Sequence, residues 1–277
     1  MGDLDAHTVL VTGANTGIGR TTTEALAARG ATIYMACRNQ AKASPVRDEI
    51  AAATGNDRLH LLALDLADLA SVRACAQAFL DTGASLDVLV NNAGLAGKRG
   101  MTASGFEVAF GTNHVGPFLF TNLLLGRLRA SAPARIVTVA SDAHYRVPGI
   151  DYAVVREPTQ TRNAFHEYSV SKLANVLHAQ ELARRLDGSG VTTYSLHPGV
   201  IASDLWREVP WPIRSLMKLR MGSTADGAKT SVYCATDAEL AAQTGLYYDK
   251  CRVKQPSDAV TAAHATELWE HSEAWVA

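Results

Sequence analysis

The sequence lacks the short patterns on which several enzyme classes depend. No HExxH, GxSxG or GxxxxGK[ST] string occurs in its 277 residues, so zinc proteases, esterases with a nucleophile elbow and P-loop enzymes are excluded by their missing parts. The nine histidines are scattered, and the four cysteines show no CxxC or other metal-ligand spacing. We interpret His114 and His197 as packing or hydrogen-bonding residues, and no metal site is predicted.

Excess charge and long apolar runs are also absent. The net charge is -1, which gives no global basic field for nucleic acid. MGDLDAHTVLV enters a predicted strand directly, with no charged n-region, no apolar h-region and no stretch long enough to cross a bilayer. Cys37 and Cys75 fall in a predicted strand and a predicted helix, which favours reduced thiols. We therefore expect a soluble cytoplasmic protein with no transmembrane anchor and no nucleic-acid partner.

The chain does contain an alternation of strand and helix patterns from His7 to Tyr248. No internal repeat and no Gly/Ser/Pro-rich linker interrupts it, and with 47% hydrophobic residues the chain can bury one large core. The alternation predicts one α/β domain, 1–277, with a seven-stranded parallel sheet. The predicted strands lie near residues 7–12, 31–37, 58–64, 86–91, 134–140, 191–196 and 245–248.

The first strand and helix are joined by a glycine turn. HTVLVTGANTGIGRTTTEALAARGATIYMACR is typical of a strand, a turn, a helix and a second strand, and Gly13, Gly17 and Gly19 are spaced GxxxGxG. Glycines allow tight turning and close backbone approach, and the helix N-terminus attracts a pyrophosphate. This context predicts a dinucleotide site, and a plain strand–helix turn is the alternative.

The end of the second strand indicates which dinucleotide is bound. An acidic residue there would bind a ribose 2′-hydroxyl, but the strand ends with Ala36, Cys37 and Arg38. A guanidinium can grip a 2′-phosphate through two hydrogen bonds, and Lys42 is a second charge one turn into the next helix. We therefore predict NADP(H), against the alternative that Arg38 is a solvated surface residue.

Tyr168 and Lys172 stand four residues apart in YSVSKLANVLHAQELARRL, an amphipathic helical pattern. Residues at this spacing share one helix face. A free phenol holds its proton up to a pKa of about 10, and a neighbouring ammonium favours the phenolate, so the pair predicts a proton donor with a lowered pKa. For this string alone, an exposed Tyr and Lys on a solvated helix is the alternative.

These motifs follow one another in the order of a known family. The chain resembles a classical short-chain dehydrogenase/reductase and, within that superfamily, is similar to the retinol dehydrogenase group. The residues that carry the resemblance are TGANTGIG (12–19), ACR (36–38), LDL (64–66), NNAG (91–94), TNHVGPF (112–118), the apolar run ending in Ser141, YSVSK (168–172) and HPGV (197–200). The resemblance implies a doubly wound Rossmann sandwich.

The resemblance also implies a catalytic tetrad of Asn113, Ser141, Tyr168 and Lys172. Tyr168 would exchange a proton with the substrate oxygen, and Ser141 would donate a hydrogen bond to the same oxygen. Lys172 would lower the tyrosine pKa and hold the nicotinamide ribose. Asn113 would organise water behind the lysine, and a helix-start asparagine that caps a backbone N–H is the alternative.

The spacing within this tetrad is one departure from the family. Ser141 and Tyr168 are separated by 27 positions, more than in the shortest members. Tyr145 and Tyr152 lie nearer to the serine, but neither is followed four residues later by lysine. Because two prolines punctuate this stretch, we interpret it as a loop insertion and keep Tyr168 as the proton donor.

The same motifs are expected to bind the cofactor. Asp65 ends a predicted strand, where α/β folds bind their ligands, and the resemblance puts it against the adenine; Asp68 is the more natural cap of the following helix. The full expected set is Gly13, Asn15, Thr16, Gly17, Ile18, Gly19, Arg38, Asp65, Leu66, Asn92, Ala93, Gly94, Tyr168, Lys172, Pro198 and Gly199.

Two further segments carry expectations about the substrate and the partners. The segment at about 200–223, after HPGV, is expected to form an apolar lid from Trp206, Trp211, Leu216, Met217 and Met221, suited to a lipophilic substrate. Its basic residues are equally consistent with a solvated face or with contact with a membrane. TNLLLGRLRA is predicted either to pack on the sheet or to form a homodimer interface.

The sequence therefore predicts an NADP(H)-dependent oxidoreductase. It would interconvert a lipophilic aldehyde or ketone and its alcohol by hydride transfer, as a carbonyl reductase or alcohol dehydrogenase. Two alternatives stay open: a reductase of an activated carbon–carbon double bond, and a non-catalytic NADP-sensing scaffold. The complete tetrad favours an enzyme, and Ser141 favours carbonyl chemistry.

Overall fold

A computed structural model describes residues 2–199 and 223–277 of the chain. Apart from Ser223, the predicted substrate lid at about 200–223 lies outside the described residues. The rest of the predicted domain is described as a three-layer α/β sandwich around one sheet.

The sheet has eight strands in the order β3-β2-β1-β4-β5-β6-β7-β8. Seven strands are parallel, as predicted, and their bounds differ from the predicted ones by two residues or fewer. The strands are β1 (Thr8–Thr12), β2 (Thr32–Cys37), β3 (Leu59–Ala63), β4 (Val88–Asn91), β5 (Ala134–Val139), β6 (Val191–His197), β7 (Leu246–Asp249) and β8 (Arg252–Val253).

The eighth strand was not predicted. β8 pairs antiparallel with β7 through a two-residue turn, Lys250 and Cys251, both of which have positive φ of 51° and 57°. Such a turn is usually marked by Asn-Gly or Asp-Gly, because those residues tolerate positive φ. The sequence carries neither pair here, so the hairpin gave no local signal.

Eight helices flank the sheet in the described residues. They are α1 (Gly17–Ala28), α2 (Gln40–Thr54), α3 (Leu69–Asp81), α4 (Val108–Phe110), α5 (Gly116–Ala130), α6 (Phe165–Arg185), α7 (Thr224–Thr236) and α8 (Ala262–Val276). A π-helical turn, Gly111–Val115, joins α4 to α5 without a break. No helix in residues 2–199 or 223–277 is both long enough and apolar enough to cross a membrane.

Both faces of the sheet are buried, because successive side chains of a strand point to opposite sides. In β1, Val9 and Val11 join a core with residues of α1, α2 and α7, while Leu10 joins a second core with residues of α3, α5 and α6. Each fully buried aliphatic side chain of this kind contributes about 1.5–3 kcal/mol to the free energy of unfolding. The two cores fix β1 at the centre, between β2 and β4.

The strand order reverses at β1, which is the switch point of a doubly wound sheet. The crevice outside the carboxyl ends of β1 and β4 is where such folds bind ligands. TNLLLGRLRA belongs to α5, and its Thr121, Leu124 and Leu128 are buried against the sheet. The predicted packing of this helix is therefore confirmed, while the homodimer stays a prediction.

Candidate active site

A cleft of about 430 Å³ opens at the carboxyl ends of the central strands. It contains every residue predicted to bind the cofactor except Gly199. The cleft begins at the glycine turn after β1, passes the end of β2 and the segment after β4, and ends at Tyr168, Lys172 and Pro198. The structure thus joins motifs that are up to 185 positions apart in the sequence, from Gly13 to Pro198.

The glycine turn is shaped for close approach of a ligand to the main chain. Gly13 and Gly17 have φ of 66° and 53°, in the left-handed region that favours glycine. A Cβ on Gly19 would lie 2.2 Å from the Gly13 carbonyl oxygen and 2.4 Å from Asn92 Nδ2. Thr16 precedes α1 and, within the described residues, makes no side-chain cap on its first turn. The backbone N–H groups in the first turn of a helix have no partner within the helix. The residues of this turn therefore fit a dinucleotide pyrophosphate, which would accept hydrogen bonds from the N–H groups at the start of α1.

A hydroxyl ties the glycine turn to the segment after β4. Thr12 Oγ1 accepts hydrogen bonds from the backbone N–H groups of Asn92 and Ala93, each at 3.0 Å. Asn92 Nδ2 donates in return to the Thr12 carbonyl at 2.8 Å. The two walls of the cleft are therefore held together by Thr12, the first residue of the TGANTGIG motif, to which the sequence analysis assigned no role.

Cationic side chains line the outer end of the cleft. Arg38 and Lys42 line this end and are exposed, and Asn39 caps α2 by accepting a 3.0 Å hydrogen bond from the Lys42 N–H. Lys98, in the segment after β4, also lines the cleft and was not predicted. An anionic group placed at this end would therefore meet positive charge.

The two aspartates after β3 have different roles. Asp68 caps α3, since its Oδ1 accepts a 2.9 Å hydrogen bond from the Ala70 N–H, which confirms the predicted cap. Asp65 lines the cleft, and its Oδ1 accepts a 3.0 Å hydrogen bond from the Ala67 N–H. This leaves Asp65 held by its own turn at the edge of the cleft.

Tyr168 and Lys172 lie one turn apart on α6, both buried. Lys172 Nζ lies 5.7 Å from the centroid of the Tyr168 ring and donates a 2.7 Å hydrogen bond to the Val139 carbonyl at the end of β5. Burial lowers the pKa of Lys172 to about 7, because the ammonium loses its water. The pair is therefore enclosed, and the exposed-helix alternative is wrong.

The pKa of the tyrosine departs from the prediction. Burial raises the pKa of Tyr168 to about 12, and the nearby Ser141 hydroxyl lowers it only in part. The sequence predicted a lowered pKa from the lysine charge, but the loss of water around the buried phenol raises the pKa instead. Tyr168 thus holds a proton at neutral pH, as a proton donor must.

Ser141 stands where β5 passes into a short 3-10 helix, Asp142–Arg146. Its Oγ accepts a 3.2 Å hydrogen bond from the Ala143 N–H and lies close enough to lower the pKa of the Tyr168 phenol. The stretch up to α6 is irregular apart from this turn and Val154–Arg156, as the insertion predicts. Neither Tyr145 nor Tyr152 lines the cleft.

Asn113 sits in the π-helical turn between α4 and α5. Its side chain binds both backbone groups of Leu95, accepting from the N–H at 2.9 Å and donating to the carbonyl at 3.0 Å. It also donates to Ser171 Oγ at 2.9 Å. The helix-start cap is therefore wrong: Asn113 lies inside a continuous helix and pins the segment after β4 to α6. π-helical turns often occur at functional sites.

The two histidines singled out from the sequence do form hydrogen bonds. His114 Nε2 lies 2.8 Å from Ser272 Oγ, and His197 Nδ1 accepts a 3.2 Å hydrogen bond from the Asp142 N–H. The cleft is also lined by residues to which the sequence analysis assigned no binding role. They are Ala36, Asn39, Leu64, Leu95, Ala96, Lys98, Thr112, Val139 and Ala140. Those at the strand ends follow from the strand bounds, whereas nothing local marks Lys98.

Comparisons with known proteins agree with the α/β fold. The short chain dehydrogenase family profile matches residues 7–211. Human retinol dehydrogenase 11 is 44% identical over 274 residues, which are 97% of this chain and 85% of that protein. An uncharacterised protein of Mycobacterium paratuberculosis has a crystal structure with a TM-score of 0.79 and 32% identity, covering 100% of this chain and 95% of that one. The Pseudomonas aeruginosa RhlG/NADP complex has a TM-score of 0.71 and 25% identity, covering 88% and 94%.

Proposed function

The chain belongs to the short-chain dehydrogenase family of oxidoreductases, and from this premise we propose that it is an NADP(H)-dependent carbonyl reductase or alcohol dehydrogenase. The substrate would be a lipophilic aldehyde or ketone in the direction of reduction and the corresponding alcohol in the direction of oxidation. One observation carries the proposal: Tyr168 and Lys172 line the inner end of a cleft whose outer end suits a dinucleotide, and the Ser141 hydroxyl lies within hydrogen-bonding reach of the Tyr168 phenol. Proton donor and cofactor site therefore share one cavity.

The bound cofactor would supply a hydride to the carbonyl carbon. In that step the Tyr168 phenol gives its proton to the carbonyl oxygen, so the product is the neutral alcohol. Ser141 donates a hydrogen bond to the same oxygen as its negative charge develops. Lys172, whose Nζ faces the tyrosine ring, stabilises the phenolate that remains, because a cation near an anion in a buried site is weakly screened.

The preference for NADP(H) over NAD(H) rests on the end of β2. Arg38 follows that strand directly, at the place where an acidic residue would bind an unphosphorylated ribose, and Lys42 lines the cleft one helical turn further on. A 2′-phosphate would accept charge-assisted hydrogen bonds from this arginine. The RhlG structure, which is named as an NADP complex, supports the same choice.

A lipophilic substrate is supported by the surroundings of the tyrosine. Tyr168 packs in an apolar cluster with Ala96 and Ala143, and Phe165 lies against it. A relative at 44% identity is named retinol dehydrogenase, after an apolar alcohol. The predicted apolar lid adjoins the same end of the cleft in sequence, since it follows Pro198 and Gly199. A cytoplasmic location and a homodimer stay predictions.

Turnover with NADPH tests the proposal and separates its alternatives. Wild type and Tyr168→Phe would be compared by NADPH absorbance on retinal, an aromatic aldehyde, decanal, a steroid ketone and an enone, with product analysis for the last. Carbonyl reduction that Tyr168→Phe abolishes while NADPH still binds is the expected result. Reduction of only the carbon–carbon bond would establish the enone reductase. Tight NADPH binding without turnover of any substrate would favour the NADP-sensing scaffold.

A further inference from the structure

The peptide bond between Ser141 and Asp142 is held from both sides by imidazole rings. The Ser141 carbonyl lies 2.7 Å from His144 Nδ1, and the Asp142 N–H donates to His197 Nδ1 at 3.2 Å. His144 comes from the 3-10 helix that follows the serine, and His197 ends β6, directly before Pro198 of the cleft. One peptide plane is thereby tied to two separate elements.

Main-chain donors fix the tautomer of each ring. His144 Nε2 accepts a 3.2 Å hydrogen bond from the Ser257 N–H, so its proton is on Nδ1 and is donated to the Ser141 carbonyl. His197 Nδ1 accepts from the Asp142 N–H, so its proton is on Nε2, which faces Asp142 Oδ2 at 3.6 Å. Both rings act only as neutral imidazoles, because protonation of either would remove the acceptor nitrogen.

We infer that His144 and His197 are positioning residues, which set the direction of the Ser141 hydroxyl by fixing the peptide bond that follows it. This inference rests on the proposed function, in which Ser141 binds the substrate oxygen. A displacement of the order of 1 Å in a reacting group can lower the rate about a hundredfold. The two rings bind the Ser141 carbonyl and the Asp142 N–H, and neither hydrogen bond uses the Ser141 hydroxyl.

The surroundings of the two rings favour their neutral forms. Burial lowers the pKa of both His144 and His197, against the attraction of Asp142. Asp249 also favours the charged form of His197, while Lys250 and Lys254 oppose it. Asp142 itself is held by Lys254 Nζ at 3.1 Å and by the Tyr247 hydroxyl at 2.8 Å. The carboxylate is therefore already partnered, and both imidazoles remain neutral at neutral pH.

Paired substitutions of equal size test the inference. Asparagine keeps a polar group near the position of Nδ1, whereas leucine has a similar volume and no hydrogen-bonding atom. We expect His144→Leu and His197→Leu to lower kcat on the order of ten- to a hundredfold, with the KM and the NADPH dissociation constant within about threefold of wild type. His144→Asn and His197→Asn should retain most of kcat. His60→Leu, at an exposed position of the edge strand β3, is the control.

Leucine variants that keep wild-type kcat would overturn the inference, as would asparagine variants that lose as much as the leucine ones. If the variants fail to fold, a measurement on the wild-type protein still tests the inference. The ¹⁵N chemical shifts of the imidazoles should place the proton of His144 on Nδ1 and that of His197 on Nε2 at neutral pH. The opposite tautomers, or charged rings, would also overturn it. Because this readout needs no substrate, absence of turnover by the wild type would count against the proposed function and not against the two histidines.

Discussion

The two ends of the cleft are built to select their ligands by different physical means. At the outer end, the proposed ligand contacts come from the backbone of the glycine turn, where side chains are absent, and from exposed cations such as Arg38. At the inner end, Tyr168 and Lys172 are buried, and loss of water moves their pKa values in opposite directions. The outer end therefore acts by shape and charge, and the inner end by the exclusion of solvent.

The largest expected effect is at the inner end, where Tyr168→Phe removes the hydroxyl of the proposed proton donor and changes the side-chain volume little. We expect kcat/KM for carbonyl reduction to fall by a factor on the order of 10² to 10⁴, with NADPH affinity nearly unchanged. Steady-state kinetics and fluorescence titration of NADPH measure the two quantities. Tyr152→Phe is the control, because Tyr152 stacks on His271 outside the cleft. Equal losses in both variants would remove the distinction between Tyr168 and other tyrosines.

Lys172→Met tests whether burial sets the pKa of the lysine at the inner end. The pKa of Lys172 is about 7 in the folded protein and about 10.5 when solvated, so between these values the unfolded chain binds more protons. The lysine therefore contributes a free energy of unfolding that rises with pH across this window and is lowest below pH 7. The variant should lose this rise, which is about 5 kcal/mol in total. It should also be more stable than wild type at neutral pH, and lose activity.

Urea unfolding of both proteins at several pH values measures the difference between them. The subtraction cancels titrating groups distant from Lys172. Tyr168 adjoins the lysine, and its raised pKa makes stability fall as pH increases from 10 to about 12, so the two proteins are compared below pH 10. The control is Lys229→Met, since Lys229 is exposed on α7 and pairs with Asp226. If Lys172→Met had the same pH dependence as wild type, the ammonium would not be desolvated in the folded protein.

These differences also explain which features could be predicted from the sequence. Apolar runs set the seven parallel strands, because a strand buried on both faces needs them. The positions of Gly13, Gly19 and Arg38 were predictable because each acts through its own backbone or charge. The pKa of Tyr168 could not be predicted, because it depends on burial by residues that are distant in the sequence.

The alternative considered for Asn113 was wrong for the same reason, while its predicted place in the tetrad stays a prediction. A cap was the local alternative for an asparagine near a helix start, but its partners, Leu95 and Ser171, come from other elements. His144 is a further case, because only the fold brings Ser257 to its Nε2. Side chains that act through distant partners leave no spacing in the sequence.

At the outer end, Gly19→Ala tests selection by shape. The added Cβ would lie 2.2 Å from the Gly13 carbonyl oxygen, so the turn must shift, at a cost of about 1–3 kcal/mol. We expect the NADPH dissociation constant to rise roughly ten- to a hundredfold. Gly126→Ala is the matched control: it lies in α5 with nothing within 4 Å of the added Cβ, and should leave NADPH affinity unchanged. An equal effect of both alanines would contradict a steric role for the turn.

The smallest expected effect is that of Arg38→Leu, because an exposed guanidinium is partly screened by water and salt. The variant should bind NADPH about tenfold more weakly and NADH as well as wild type, since only NADPH carries the 2′-phosphate. Titrations of both cofactors at low and high salt measure this, and the loss for NADPH should shrink as salt rises. Arg47→Leu, on the same side of the fold in α2 but paired with Asp48, controls for general loss of positive charge. If Arg38→Leu weakened both cofactors equally, Arg38 would contact a part that they share, and the outer end would not distinguish them by charge.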